Sequence, residues 1–227
     1  NNKQATPQFL FAIFPHGSNV DYRLLMEGML YETLPHLAPN IRTLAATIIF
    51  RLPIVREFAL WTGCIDASRA VASKALRAGR SILVLPGGEA EQIRTVHGRE
   101  KVYLQRRKGF IKIALRHGVP IVPVYVFGAS DYYHTWFVGY GLRLWIMKKL
   151  GVCITLAFGL YGSTLCPLPV ETTIVFGKPL DINVKEAGAP SDEEVVDAHQ
   201  QFCEALRELF DKHKKSLGYG DRTLEIL

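Results

Sequence analysis

The sequence predicts an α/β fold in which helices flank a central, mostly parallel β-sheet. Short apolar runs alternate with helical segments along the whole 227-residue chain. The apolar runs are continuous, as is typical of strands that are buried on both faces. Strands that alternate with helices favour parallel pairing. Because no internal repeat, low-complexity tract or linker interrupts the pattern, residues 1–227 are interpreted as a single domain.

Turn-forming residues bound each predicted element of the first part of the chain. Pro15 ends the first strand, Pro35 stops the first helix, and Gly79 is placed to cap a later helix. In chain order the elements are a strand over Phe9–Phe14, a helix from Val20 to Leu34, a strand over Leu44–Phe50, helices from Pro53 to Gly63 and over Ser68–Ala78, and a strand over Ser81–Leu85.

The second part of the chain continues the alternation and ends in a long helix. Its predicted elements are a helix over Gln105–His117 closed by Gly118, strands over Ile121–Phe127, Val152–Phe158 and Thr172–Phe176, and a last helix that Ser191 opens. Glu194 completes a capping box with Ser191. One face of that helix carries Val195, His199, Phe202, Leu206 and Leu209, so this face is expected to be buried.

Composition limits the class of protein. Hydrophobic residues make up 48% and charged residues 21%, which excludes a disordered chain. The four cysteines form no CxxC pair and no zinc spacing, so a reducing compartment and no metal site are expected. Residues 150–170 carry no charge but contain three glycines and two prolines, so a strand and loop are predicted there instead of a spanning helix.

His16 and Asp21 follow the first predicted strand, within FPHGSNVD. Sheet proteins of this kind place their sites at the ends of strands. We expect Asp21 to accept a hydrogen bond from one ring nitrogen of His16, which leaves the other nitrogen free as a base. The alternative is structural: Asp21 completes a capping box with Ser18 and suits the helix dipole.

Paired glycines follow the strand over Ser81–Leu85, within PGGEAE. Gly87 and Gly88 let the backbone approach a ligand and offer N–H donors to an oxyanion. Glu89 and Glu91 are candidate contacts for a substrate hydroxyl. The alternative is an ordinary glycine turn with solvated acids, and no Gly-Lys-Ser/Thr follows to make a nucleotide-binding loop.

Basic residues concentrate in one stretch of the chain. Residues 99–116 hold seven lysines and arginines against one acid, in a chain of net charge +6. Arg106, Arg107 and Lys108 open a predicted helix, where positive charge opposes the dipole. A bound phosphate offsets that cost, so a phosphate-bearing ligand or anionic headgroup is expected. The alternative is a solvated basic face; nucleic acid is disfavoured, because no base-stacking or DNA-reading motif accompanies the charge.

Several motifs occur in a fixed order. They are His-x4-Asp, GCIDASR at 63–69, PGGEAE at 86–91 and VPIVPVYV at 119–126. This order resembles that of the glycerolipid acyltransferase superfamily. FPHG, RRKGFIKIAL, VPVYVFG and LFDKHKKSLG are similar to motifs of the type-2 diacylglycerol acyltransferase family, which includes monoacylglycerol and wax-alcohol acyltransferases. The similarity runs from about Phe9 to Leu227.

The resemblance implies a membrane enzyme that transfers a fatty acyl group from acyl-CoA to the hydroxyl of diacylglycerol, forming triacylglycerol. It implies that His16 is the catalytic base, oriented by Asp21. N–H groups near Gly17 or Gly87–Gly88 would stabilise the oxyanion, and the basic patch would hold coenzyme A phosphates. No cofactor is implied beyond acyl-CoA as co-substrate. The chain begins at Asn1 and is interpreted as a fragment whose upstream hairpin anchors it on the cytosolic face of the endoplasmic reticulum membrane.

Two other functions stay open at this point. The acceptor could be a lysophospholipid or glycerol phosphate, in which case the basic residues would bind the acceptor's phosphate. The chain could also be a non-catalytic lipid-binding module that keeps the fold. His16 and Asp21 together favour an enzyme over such a module. Oligomeric state cannot be predicted from this sequence.

Overall fold

The computed structural model describes residues 7–181 and 189–227. These residues form an α/β structure with a mostly parallel six-stranded sheet, which confirms the predicted class. The helices are α1 (Tyr22–Thr33), α2 (Val55–Trp61), α3 (Arg69–Arg77), α4 (Gly88–Gln92), α5 (Gly109–His117), α6 (Tyr140–Leu150) and α7 (Asp192–Lys214). The strands are β1 (Leu10–Phe14), β2 (Ile41–Ala45), β3 (Cys64–Asp66), β4 (Ser81–Val84), β5 (Lys101–Val102), β6 (Ile121–Phe127), β7 (His134–Thr135), β8 (Ala157–Phe158), β9 (Thr173–Phe176) and β10 (Glu225–Ile226).

The large sheet has the order β3-β2-β4-β1-β6-β9, with β1 near its middle. Strands β1, β2, β3, β4 and β6 are parallel, and β9 runs antiparallel beside β6. Leu10 pairs with both Ile82 and Ile121. All five residues of β1 are buried, as the continuous apolar run LFAIF predicts for a central strand. The parallel arrangement brings the carboxyl ends of β1, β4 and β6 to one edge of the sheet.

Helices bury each face of the sheet. On one face α1 packs Tyr22, Met26 and Leu30 against side chains of β1 and β6. On the other face α3, α5 and α7 build a larger core, in which Phe202 of α7 contacts Phe14 and Phe110. The predicted apolar face of α7 is buried, and Ser191 and Glu194 form the predicted capping box.

Several predicted boundaries are wrong. The strand predicted over Leu44–Phe50 lies earlier, in β2, and residues 47–51 form a 3-10 helix. The strand predicted over Val152–Phe158 shrinks to β8. Both errors come from apolar residues that pack outside the main sheet, since periodicity cannot distinguish such runs from strands.

A buried charge cluster fixes the end of the chain to the sheet. Arg222 Nη1 donates to Glu100 Oε1 at 2.8 Å and to Asp131 at 2.8 and 3.0 Å. The hydroxyl of Tyr125, in β6, donates to the second oxygen of Glu100 at 2.7 Å. Strand β10 pairs with β5 directly beyond Arg222. The cluster therefore joins β6, the loop after it and the last residues of the chain.

Across residues 7–181 and 189–227, none of the helices combines the length and apolar character needed to cross a membrane.

Candidate active site

His16, the glycine turn and the loop after β6 meet at the carboxyl edge of the sheet. His16 follows β1, and Gly87 follows β4. A Cβ atom placed on Gly17 would lie 3.2 Å from the carbonyl oxygen of Ala129, which follows β6, so these two loops touch. Ligands of parallel sheets bind at this edge. The structure thus brings the predicted site residues His16, Gly17 and Gly87 into one region.

The ring of His16 is oriented by a main-chain carbonyl. Its Nδ1 lies 3.2 Å from the carbonyl oxygen of Gly17, which can only accept a hydrogen bond. That contact places the proton on Nδ1 and leaves Nε2 with a lone pair. Burial lowers the pKa of His16 although part of its surface reaches solvent, and the bond to Gly17 partly offsets this. The ring is therefore neutral at pH 7 and can act as a base.

Asp21 does not form the expected hydrogen bond with His16. No hydrogen bond joins the two residues in the described ranges, because the left-handed turn at Gly17 (φ +71°) directs Nδ1 to the main chain. Asp21 also makes no side-chain cap of α1, so the predicted capping box is wrong, but Asp21 stands at the N-cap position, where an acidic group suits the helix dipole. Its carboxyl group interacts instead with the hydroxyl of the neighbouring Tyr133, which Asn19 also approaches, although neither Oδ2 of Asp21 nor the Tyr133 hydroxyl makes a hydrogen bond of good geometry.

Burial raises the pKa of Asp21 and brings the pKa of Tyr133 to about 12. Tyr133 therefore keeps its proton at neutral pH and can donate it to a ligand oxygen. Buried polar atoms whose mutual contact has poor geometry are incompletely satisfied, which is costly. A substrate hydroxyl or carbonyl at this position would satisfy them better.

Glu91 supports the loop that carries His16. Its carboxylate accepts the main-chain N–H of His16 on Oε1 and that of Tyr103, at 2.7 Å, on Oε2. The residue is 1% exposed, so it cannot reach a substrate, and the predicted contact of Glu91 with a substrate hydroxyl is wrong. A Cβ atom on Gly87 would overlap Oε2 of Glu91, which explains the glycine there. Glu89, by contrast, is half-buried at the same edge, and burial raises its pKa.

The buried Glu91 should make stability depend on pH. Burial raises its pKa from 4.5 to about 7, so between these values the folded chain binds more protons than the unfolded chain. The stabilisation is complete below pH 4.5 and is lost as the pH rises through 7, a change of about 3 kcal/mol. Denaturant unfolding of the chain and of Glu91→Gln at each pH measures it. The free energy of unfolding of the unaltered chain minus that of the variant should fall between pH 4.5 and 7. A difference that rises over this range would contradict a raised pKa for Glu91.

The main-chain donors of the site are not equivalent. The N–H of Gly88 donates to the carbonyl of Leu85 at 3.1 Å, so it is not available for an oxyanion, contrary to expectation. The N–H of Gly17 and that of Gly87 have no hydrogen-bond partner in the described part of the chain. Gly17 is adjacent to His16, which makes its N–H the better-placed donor.

The basic patch lines a groove beside the glycine turn. The groove encloses about 460 Å³ between α3 and α5, with Leu10, Ile82 and Phe110 among its apolar walls. Arg106, Arg107 and Arg69 also line it. Arg107 Nη2 donates to the carbonyl of Gly87 at 3.0 Å, but its Nε is buried without a partner. Lys108 is exposed at the start of α5 and is not among the lining residues.

A second groove, of about 420 Å³, lies at the opposite edge of the sheet. It is lined by apolar residues that include Phe9 and Phe11 of the β1 region, Met29 and Leu34 of the α1 region, and Phe176. Because β1 runs from this groove towards His16, the groove is separated from the candidate site by the length of the strand. It is therefore not part of that site.

Residues 2–227 match the family described as diacylglycerol acyltransferase. The chain belongs to this family. The match covers almost the whole chain, and it confirms the resemblance that the ordered motifs indicated. The FPHG motif, which carries His16 and supports the resemblance to this family, lies at the end of β1.

Relatives in the family act on several lipid alcohols. Human diacylglycerol O-acyltransferase 2 is 32% identical to this chain, over the whole of the chain and 62% of its own length. Human 2-acylglycerol O-acyltransferase 3 is 34% identical over 85% of the chain and 59% of its own length. Mouse acyl-CoA wax alcohol acyltransferase 2 is 32% identical over 86% of the chain and 61% of its own length. The chain thus spans about 60% of the length of these relatives.

Sequence reasoning missed several residues of the site. Tyr133 and Tyr103 lie in no motif and reach the site only through the fold, and Arg69 was not singled out within its motif. The ring of Tyr103 lies under the guanidinium groups of Arg94 and Arg107, 4.9 and 5.2 Å from their central carbons. Arg69 ends the GCIDASR motif, so its position in that motif was the one available signal. The roles predicted for the other site residues remain predictions.

Proposed function

We propose that the chain is an acyl-CoA-dependent O-acyltransferase that forms triacylglycerol from diacylglycerol. The observation that carries this proposal is the state of His16 at the end of the central strand. Its Nδ1 is engaged by the carbonyl of Gly17, and its Nε2 is left to accept a proton. An alcohol must lose its proton as it attacks a thioester, and a positioned neutral imidazole supplies the base.

The reaction needs one proton to travel from the acceptor to coenzyme A. Nε2 of His16 takes the proton of the acceptor hydroxyl while the hydroxyl oxygen attacks the thioester carbonyl carbon. The oxyanion that forms meets the free N–H of Gly17. The C–S bond then breaks, and the thiolate takes the proton back from His16. The products are an ester and free coenzyme A, with no acyl-enzyme intermediate.

Asp21 and Tyr133 are suited to hold the acceptor. The carboxyl group of Asp21, at the start of α1, interacts with the hydroxyl of Tyr133, in the loop after β6, but their contact has poor hydrogen-bond geometry. A neutral glycerolipid offers a hydroxyl and ester carbonyls, which can donate to Asp21 and accept from Tyr133. In this proposal Asp21 positions substrate and does not orient His16.

The groove between α3 and α5 is suited to coenzyme A. Phosphates are bound well by arginines, and the buried Nε of Arg107 lacks a partner until such a ligand arrives. Arg69, Arg106 and Arg107 would hold the phosphates, with Lys108 adding charge outside the groove. The apolar walls would exclude water from the thioester end. Because diacylglycerol is insoluble in water, we place the chain at a membrane surface, and the family resemblance implies the cytosolic face of the endoplasmic reticulum.

The same groove supports one rival acceptor. A lysophospholipid carries a phosphate that the three arginines could bind as well as that of coenzyme A. Labelled oleoyl-CoA, offered diacylglycerol, monoacylglycerol, lysophosphatidate and a long-chain alcohol in competition, separates these cases. We expect labelled triacylglycerol as the main product, and no inhibition by glycerol phosphate beyond that of inorganic phosphate.

Arg69→Gln tests which substrate the groove holds. We expect the KM for oleoyl-CoA to rise about 10-fold, with the KM for diacylglycerol unchanged, because a charge-assisted hydrogen bond is lost. Arg77→Gln, an exposed position on the same helix, is the matched control. If the chain prefers lysophosphatidate as acceptor and the KM for lysophosphatidate rises in Arg69→Gln, a lysophospholipid acyltransferase is favoured. Folded chain that binds lipid but transfers no label to any acceptor would favour a non-catalytic module.

A further inference from the structure

Helix α6 is built with its polarity reversed. Its one buried residue in the structure is Arg143. Three of its large apolar residues face outward: Leu142 is 65% exposed, Trp145 56% and Leu150 68%. A helix on the surface of a water-soluble domain normally buries its apolar side chains and exposes its arginines. The arrangement is therefore suited to an apolar environment outside the protein.

Arg143 satisfies main-chain carbonyls of the segment that surrounds it. Its Nε donates to Val138 O at 3.1 Å, its Nη1 to Ile154 O at 3.1 Å and its Nη2 to Trp136 O at 3.0 Å. No carboxylate pairs with Arg143 in the ranges the structure describes. In an apolar environment such carbonyls cannot bond to water, so an internal donor is needed.

The apolar exterior continues along residues 136–165, here called the 136–165 segment. Tyr161 is 99% exposed and adopts a left-handed backbone (φ +55°), a conformation that costs about 1 kcal/mol for a residue with a side chain. Exposed apolar and aromatic side chains of the segment also include Trp136, Phe137, Val138, Leu160 and Leu165. Lys148 and Lys149 lie among them, at the end of α6. Aromatic rings with flanking lysines are typical of surfaces at a bilayer interface.

The 136–165 segment is attached to both loops of the candidate site. Asn19, which lies three residues after His16, donates a hydrogen bond from Nδ2 to the carbonyl oxygen of Thr164 at 3.0 Å. The thiol of Cys153 lies 3.7 Å from the carbonyl oxygen of Glu89, in the helix that follows the glycine turn. A lipid that leaves a bilayer beneath this segment would therefore arrive beside His16.

We propose that the 136–165 segment is the surface through which the chain binds a lipid bilayer, with Lys148 and Lys149 favouring anionic headgroups. The proposal rests on the function proposed above, since it supplies the route by which a water-insoluble acceptor reaches His16. A bilayer fits better than a second copy of the chain, because the exposed residues spread over a helix and two loops and carry the aromatic–lysine pattern of an interface.

Flotation of the chain with phosphatidylcholine–phosphatidylserine vesicles tests the surface. We expect Leu142→Ser/Leu150→Ser to lower the partition coefficient at least ~10-fold, as loss of two buried leucine side chains implies. Leu24→Ser/Leu25→Ser is the matched control, because these leucines of α1 are about equally exposed. Its partition coefficient should change less than ~2-fold by the same reasoning. Equal losses in both variants would overturn the assignment to the 136–165 segment.

Tryptophan fluorescence locates the surface directly, because the chain has three tryptophans: Trp61, Trp136 and Trp145. In Trp61→Phe the remaining two lie in the 136–165 segment, and brominated phosphatidylcholine should quench them. In Trp136→Phe/Trp145→Phe the remaining Trp61, on α2, should be quenched less. Stronger quenching of Trp61 would overturn the proposal. So would a chain that does not float and instead forms a dimer that Leu142→Ser/Leu150→Ser dissociates.

Neither measurement uses acyl-CoA, so its result is independent of whether the chain transfers an acyl group. Vesicle binding without transfer would leave the surface standing and reject the proposed function. Transfer to diacylglycerol in detergent micelles without vesicle binding would do the reverse.

Discussion

Replacement of His16 by alanine is expected to lower acyl transfer from oleoyl-CoA at least ~100-fold, the contribution typical of a general base. The fall should be in kcat, because the ring accepts a proton during the reaction and is not needed to bind acyl-CoA. Burial lowers the pKa of His16, so the acidic limb of the pH–rate profile should lie below pH 6.5. Transfer rates with saturating substrates across pH 5–8 measure both effects.

The control for this variant is His36→Ala. His36 is exposed, follows the end of α1 and lies outside the candidate site, so its removal should leave the rate unchanged. Asp21→Asn adds a second comparison: if Asp21 positions the acceptor, the KM for diacylglycerol should rise while the pH–rate profile keeps its shape. A His16→Ala variant that folds and retains more than a tenth of the activity would reject His16 as the base.

Replacement of Arg222 by alanine is expected to lower the free energy of unfolding substantially. Arg222→Ala leaves Glu100 and Asp131 without their cation, and Glu100 is almost fully buried. Breaking a buried ion pair on one side costs 3–5 kcal/mol; because Arg222 keeps some exposure, we expect about 3 kcal/mol. Denaturant unfolding at pH 7 measures the loss. The hydrogen bonds of Tyr125 and Ser130 to Glu100 should not compensate, since they are already present.

Two variants make this result specific. Arg56→Ala removes an arginine from the exposed pair with Glu57 and should change the free energy of unfolding by less than about 1 kcal/mol. Arg222→Ala/Glu100→Gln removes the unpaired buried charge together with its partner, so it should recover part of the stability lost in Arg222→Ala. If both Arg222 variants unfold with the same free energy as the unaltered chain, the cluster contributes nothing to stability.

The elements that the sequence predicted well are those whose pattern and environment agree. Strands β1 and β6 are continuous apolar runs that lie in the middle of the sheet, and α7 presents its apolar face to the core and carries the predicted cap. In such elements local propensity, periodicity and burial point to one structure. The order of motifs was equally informative, because the family match covers residues 2–227.

The features that could not be predicted depend on contacts between distant residues. Helix α6 was not predicted, because its outward apolar residues and inward arginine do not follow the amphipathic pattern of a soluble helix. The hydrogen-bond partner predicted for His16 was wrong for a different reason. Sequence spacing brings Asp21 near His16, but the turn at Gly17 decides which acceptor Nδ1 meets. The position of Glu91 beneath that loop also required the three-dimensional structure.

The place of β1 in the sheet has a consequence for the order of folding. It precedes both of its partners in the chain, since Leu10 pairs with Ile82 and Ile121. During synthesis the apolar run LFAIF must remain unpaired until β4 and then β6 have been made. Non-local pairing of this kind slows folding and leaves intermediates open to aggregation. We therefore expect His16 to reach its final position late, after most of the chain has been synthesised, and we expect slow refolding from denaturant.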